Sequence, residues 1–216
     1  MGGPAAPLTV VDLAFAVSGG RLPRDHSVAL WQALERAVPS LAADEATAVL
    51  PIRAASAGDL GLVLARRSRL LLRLSELSVP AALELCGRRL EVGGTPIEVG
   101  AAKTRPLAPY ATLYAQRVAA EDGDERGFVL QVARDIERLG IRADFIVGRP
   151  SSTHGPNGRL AGFSLMLTGL RVAESLTLQA MGIGAHRRIG FGVFVGHRSI
   201  AAVGSEEFEQ ERRGLR

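Results

Sequence analysis

The run RPLAPYATLYAQRVAAEDGDERGFVLQVARDIERLGIRADFIV, residues 105–147, decides the fold, because it holds a break and a fresh start. Arg105–Pro109 (RPLAP) brings two prolines near the middle of the 216-residue chain, where they end regular structure. Thr112–Ala119 then reads as a strand. In Glu125–Leu139, Phe128, Val132, Ile136 and Leu139 recur at helical spacing, and Gly140 closes the helix. Arg142–Val147 is the next strand, His154–Gly158 a polar turn and Leu160–Leu167 another strand. Val172–Met181 reads as a helix and Gly190–Ile200 as a last strand, which gives the order βαββαβ.

Upstream of the break the same order is found. Leu8–Val17 alternates like a strand, and Asp25 is a good N-cap for a helix with Val28, Leu30, Trp31, Leu34 and Val38 on its apolar side. Pro39 ends that helix. Ala46–Ala54 and Leu62–Leu74 are of strand length, Val79–Cys86 is a short helix started by Pro80, and Leu90–Val99 is a hairpin turning at Gly93–Gly94. Two copies of βαββαβ predict an α+β protein of tandem ferredoxin-like (RRM-like) domains with antiparallel sheets. The first domain is expected over residues 8–105 and the second over 110–200. Residues 2–7 read as a loose tail and 201–216 as a polar one.

Composition narrows the function classes. With 47% hydrophobic and 22% charged residues the balance is that of a globular protein. No apolar run reaches the roughly 18 residues of a membrane span, and the N-terminus lacks the basic start of a signal peptide. No membrane association and a cytoplasmic location are therefore expected. Cys86 is the one cysteine, so neither a disulfide framework nor a cysteine zinc site can form within the chain. His26, His154, His186 and His197 show no ligand spacing, so no metal and no cofactor are expected.

Net charge is +4, and of 26 basic residues all but Lys103 are Arg. A GC-rich genome alone would favour Arg, but the charges are also segregated. Residues 142–198 carry seven Arg against Asp144 and Glu174, while acids gather at 121–137 and 206–211. Such a chain can present a positive face to a polyanion, and the guanidinium fork suits phosphate. Arg67, Arg69 and Arg73 share strand parity and would project from one face, towards either solvent or RNA.

Met181–Ile200, MGIGAHRRIGFGVFVGHRSI, fits neither a dinucleotide fingerprint nor a P-loop. What remains is a loop with Gly182, Gly184, Gly190 and Gly192 around His186, Arg187 and Arg188. Its glycines permit close backbone approach, either to a ligand or to neighbouring chain. His26 follows the N-cap candidate, where the positive helix end favours a neutral imidazole suited to acid–base work. On residues alone it is equally a surface histidine beside a cap.

The tandem architecture ending in GIGAHRRIGFGVFV resembles the CRISPR-associated endoribonucleases of the Cas-six family. The segments VDLAFAVSGGRLPRDHSVALWQAL, PIRA, RSRLLLRL, RPLAPYATLYA and ESLTLQAMGIG are similar in order and spacing to its Myxococcus-type subgroup. The resemblance covers about residues 9–200 and implies cleavage of precursor CRISPR RNA within its repeats without metal. In that reaction a 2′-hydroxyl attacks the adjacent phosphate and leaves a 2′,3′-cyclic phosphate. It implies His26 as general acid or base; Lys103, Arg24 and Arg21 are candidate stabilisers of charge by sequence position, and no Tyr stands near His26 to complete the usual set. Gly182, Gly184, His186, Arg187, Arg188, Gly190 and Gly192, with Arg67, Arg69 and Arg73, would hold precursor and mature CRISPR RNA at the repeat hairpin. Retention of the product and association with effector-complex subunits are further expectations. A catalytically silent repeat-RNA-binding subunit would share all these features except turnover.

Overall fold

A computed structural model of the chain describes residues 9–52, 56–58, 61–121, 123–156 and 158–197, with side chains at 56–58 excepted. Both expected tails and the end of the expected last strand lie outside the described residues. The chain divides into two compact units, Met1–Pro106 and Leu107–Arg216. Each has the ferredoxin-like strand order, and all neighbouring strands run antiparallel. Among the described residues no helix is long and apolar enough to cross a membrane.

The first unit runs β1 (Val10–Gly19), β2 (Arg21–Leu22), α1 (Ser27–Ala37), β3 (Ala48–Leu50), β4 (Ser56–Gly58) and β5 (Gly61–Val63). It continues through β6 (Arg69–Ser75), α2 (Val79–Leu83), β7 (Arg89–Val92) and β8 (Thr95–Pro106). Its main sheet is ordered β3-β6-β1-β8-β7, and β2-β5-β4 form a small second sheet. Leu13, Phe15, Leu70 and Leu72 alternate along β1 and β6 and are fully buried. On α1, Leu30, Trp31, Leu34 and the following Val38 are buried as their spacing predicts. The Gly93–Gly94 hairpin forms as expected, with φ of 57° and 79°, both in the left-handed region that a two-residue turn requires.

Leu62–Leu74 does not form one strand. Ala65 and Ser68 close a turn inside it, the Ser68 amide donating to the Ala65 carbonyl at 2.8 Å and the Ala65 amide to Ser68 Oγ at 3.0 Å. A buried serine offering its hydroxyl to nearby backbone competes with the ladder, and here it wins. Arg67 therefore sits on the turn and only Arg69 and Arg73 share strand parity.

Arg73 is not a surface cation. It is 1% exposed and stands directly opposite Asp12 across β1 and β6. Its Nε and Nη2 donate to the two Asp12 carboxylate oxygens at 2.7 and 3.0 Å. Burial of so large a cation is tolerable only with this two-pronged partner. Its expected role in holding RNA is therefore corrected: Arg73 belongs to the interior.

The second unit runs β9 (Thr112–Ala119), α3 (Glu125–Arg138), β10 (Asp144–Gly155), β11 (Gly158–Thr168), α4 (Val172–Met181) and β12 (Val195–Gly196). The sheet order is β10-β11-β9-β12. Leu113, Val118, Phe128, Val132, Phe163, Leu165, Leu167 and Leu178 make its core, with the Phe128 and Phe163 ring centroids 4.9 Å apart. His154 is not in a turn but at the end of β10, paired with Arg159. Both neighbours of β11 slip by one residue at the same level, β10 between Val147 and Pro150 and β9 opposite Phe163–Leu165. These are β-bulges, which bend the strand and raise its twist.

Glu174 ties the loop before β10 to the start of α4. Its carboxylate accepts from the Arg142 amide at 3.0 Å, the Arg171 amide at 2.9 Å and Arg171 Nη2 at 2.6 Å. The Arg171 guanidinium, helped by the two amides and opposed by burial, holds the carboxyl at about 2 against an ordinary 4.5. A depressed carboxyl stabilises the fold above its unfolded pKa and ceases to do so as pH falls through the folded one. Glu174→Gln should thus cost about 2 kcal/mol at pH 7, with the gap to wild type closing from about pH 4.5 towards pH 2, as read by urea denaturation. For the buried pair, Arg73→Met alone should cost roughly 3–5 kcal/mol, while Arg73→Met with Asp12→Leu should recover most of it.

Candidate functional site

The glycine-rich segment of the second unit is a loop that leaves α4 and returns to β9. The Gly182 amide donates to the Leu178 carbonyl at 2.9 Å and ends α4 with φ at 69°. The chain turns at Gly184 (φ 72°) and His186 (φ 69°), then makes one 3₁₀ turn, Arg187–Ile189. The His186 carbonyl accepts from the Ile189 and Phe191 amides at 3.1 and 3.2 Å. The Gly192 amide donates to the Arg117 carbonyl on β9 at 2.7 Å, and β12 then pairs with β9 at Tyr114 and Leu113. The long last strand expected from Gly190 onward is thus a two-residue strand, because Gly190 and Gly192 hold φ of 85° and 64°.

Two of the glycines are required where the limbs of this loop touch. A Cβ on Gly192 would stand 2.1 Å from the Ile183 carbonyl oxygen, and one on Gly182 would stand 2.4 Å from the Gly192 carbonyl oxygen. Gly182, Gly190 and Gly192 are buried, so the expected RNA contact has no surface to act through at these positions. The exposed stretch is Gly184, Ala185 and His186, with Arg187 and Arg188 half-buried beside it. Arg187 lies over Gly182, whose added Cβ would come within 2.9 Å of its Nε.

Beside the loop is a cleft of about 440 Å³, lined by Ala120, Glu121, Gln131, Arg159, Ala161 and His186 among others. Gln131 on α3 is buried and bridges the end of β9, donating to the Ala119 carbonyl at 2.9 Å and accepting from the Glu121 amide at 3.0 Å. His186 meets the edge of Phe191 at 6.4 Å between centroids, and the Arg117 guanidinium lies 5.2 Å from that ring's centroid. Sequence reading missed Gln131, Arg159 and Arg117. Gln131 did carry a signal, as a polar residue in phase with Phe128 on an apolar helix face.

The remaining candidates lie in the first unit. His26, not Asp25, is the N-cap of α1, and its carbonyl accepts the first helical bond from Leu30 at 2.7 Å. The residue is 2% exposed, and Nδ1–H donates to the Pro23 carbonyl at 3.0 Å. Since that carbonyl can only accept, Nδ1 carries a proton. Arg24 is exposed two residues earlier. Lys103 is exposed on β8 opposite Ala14, on the sheet face that also holds Asp12 and Arg73. Arg67 and Arg69 are exposed, and Arg69 Nη1 donates to the carbonyls of Arg66 and Ser68 at 3.0 and 2.8 Å. Among the described residues no three His, Cys, Asp or Glu side chains group as metal ligands.

Comparison with known proteins adds to this geometry. A family model described as Cas6 Crispr matches residues 11–199. A CRISPR-associated endonuclease Cas6 of Myxococcus xanthus (strain DK1622) is 33% identical over 189 residues, 87% of this chain and 82% of the relative. A solved structure named CRISPR associated protein Cas6 superposes with a TM-score of 0.63 at 13% identity, covering 88% of this chain and 100% of that one. Another, from a study of CRISPR endoribonuclease Cse3 bound to a 19-nucleotide RNA, gives a TM-score of 0.50 at 12% identity over 86% of this chain and 98% of that one.

The two classes of glycine should behave differently. Gly184→Ala meets nothing nearer than 3.4 Å and should cost only the left-handed penalty, roughly 1–2 kcal/mol. Gly192→Ala collides with backbone as well and should cost more than about 3 kcal/mol or prevent folding, as measured by thermal melting.

Proposed function

The chain belongs to the Cas6 family, and on that premise we propose that it is an endoribonuclease that cuts precursor CRISPR RNA within its repeats. The observation that carries the proposal is the state of His26 at the start of α1. Nδ1–H is engaged by the Pro23 carbonyl, which fixes the ring at the helix start, and this imidazole is the group proposed to take up or deliver a proton. The 2′-oxygen attacks phosphorus, the bond from phosphorus to the 5′-oxygen breaks, and the 2′-proton is removed while the leaving oxygen gains one. The products are a 2′,3′-cyclic phosphate and a 5′-hydroxyl. Negative charge grows on the phosphoryl oxygens, and the exposed Arg24 and Lys103 are the cations proposed to offset it. No metal is required by this chemistry, and the described residues offer no ligand cluster for one.

The exposed Gly184–His186 stretch, with Arg187 and Arg188, supplies the proposed contact to the repeat hairpin, and Arg67 and Arg69 a further one. The mature guide RNA stays bound after the cut, in the cytoplasm and in company with effector-complex subunits. The burial of His26 favours one rival, a repeat-binding subunit without turnover. For cleavage to occur, the buried ring must become accessible to the RNA.

Single-turnover cleavage of the cognate repeat RNA tests the reading. His26→Ala should keep RNA affinity and lose roughly 10²–10⁴ in rate. A 2′-deoxy substitution before the cut should abolish cleavage and spare binding, and excess EDTA should leave the wild-type rate unchanged. A wild type that binds the repeat tightly and never cuts it establishes the silent subunit instead.

A further inference from the structure

We propose that the cleft of the second unit seats one unpaired nucleobase of the bound RNA, held between the His186 ring and the Arg159 guanidinium. This rests on the RNA-binding reading above and names a specificity site within it. The cleft, about 440 Å³, falls in the roughly 300–1,000 Å³ range of small-ligand pockets. A duplex cannot enter such a space, whereas a base turned out of a single-stranded segment can, and proteins read such bases by stacking them on aromatic rings or Arg planes.

His186 is fixed in advance for that work. It is the only non-glycine residue with positive φ among the described residues; His tolerates this conformation better than most side chains, but it still costs more than it would for glycine. Two amide bonds to its carbonyl and the edge of the fully buried Phe191 hold it there, leaving the residue exposed at the rim of the cleft. A conformation maintained against its own cost, at the rim of a cavity, is a feature of ligand clamps. Arg159 is carried by β11 in phase with Phe163, Leu165 and Leu167, but beyond the core, and its Nε donates to Ser152 Oγ at 3.0 Å. Gln131 spends its oxygen on Glu121 and one amide hydrogen on Ala119, so its second hydrogen remains for a base edge. Ala119, Ala120, Ala161 and Ala185 make the other walls small and apolar. The lining holds the Glu121 carboxylate as well as Arg159, so it is not an anion site, and a phosphate would meet a carboxylate. A neutral, flat, hydrogen-bonding base meets none of these objections.

The test is an abasic scan. Each unpaired nucleotide of the cognate repeat RNA is replaced in turn by an abasic one, and binding is measured for wild type, His186→Gly and Arg159→Ala. Glycine accepts a φ of 69°, so the first variant keeps the loop path and should melt no lower than wild type. One abasic position should weaken wild-type binding about tenfold and should weaken either variant less than about twofold. If the wild type binds the intact repeat but every abasic position costs the variants as much as it costs the wild type, the cleft holds no base. If the wild type binds no repeat RNA at all, the RNA-binding reading fails, and this proposal with it.

Discussion

The contact between the backbones of Ile183 and Gly192 is the constraint on which the rest of the second unit's site depends. Only hydrogen fits on the Gly192 α-carbon there, and only hydrogen fits on Gly182 across from it. Because the two limbs close at their base, the loop tip is thrown outward as Gly184, Ala185 and His186. The same closure aligns Gly192 with Arg117 on β9, which delivers Phe194 to the core and Val195 to the sheet edge. The glycines are thus a matter of packing first, and what surface chemistry the loop has follows from where packing puts its tip.

The arginines divide in a similar way between interior and surface duty. Arg73 neutralises Asp12 inside the first unit, and Arg171 holds Glu174 in a carboxylate cradle. Arg88 donates to the carbonyls of Ala37 and Glu84, at the ends of both helices of its unit, where a cation also complements the helix dipole. Arg67 and Arg69, by contrast, are exposed on and beside a turn. An excess of Arg over Lys therefore does not measure a nucleic-acid surface. Part of it is structural, in places where a planar five-donor group can satisfy several acceptors at once.

Much of the fold was legible because its signals are local. The Arg105–Pro109 break, the Gly93–Gly94 turn and the apolar phases of α1 and α3 each rest on a few adjacent residues. Where local chemistry competed with pattern, the reading failed. Ser68 breaks an alternation that looked continuous, and left-handed glycines shorten what looked like a long last strand. The candidate site was harder to read, since it depends on partners far apart in sequence. Nothing near Arg73 announces Asp12, sixty-one residues away, and nothing near His186 announces Arg159 or Gln131. His26 was visible as a residue type at a helix start, but its burial and the Pro23 carbonyl that fixes its proton are properties of the folded chain.

The paired bulges beside β11 give the second unit a joint. Below them the strands carry Leu165 and Leu167 into the core, and above them the β10–β11 hairpin extends with no such obligation. A joint at that level separates two degrees of steric constraint. Residues at the slip itself are tightly bound, since Gly148 has Ser164 where its Cβ would stand and Gly162 has the Val118 carbonyl. Beyond it, the described residues of the arm between Ser151 and Ala161 are mostly exposed or half-buried, with Thr153 the buried exception, so most of their side chains can change at little cost to folding. A lineage whose RNA targets drift could refit this arm to each new target while inheriting the sheet and helices of the unit unchanged.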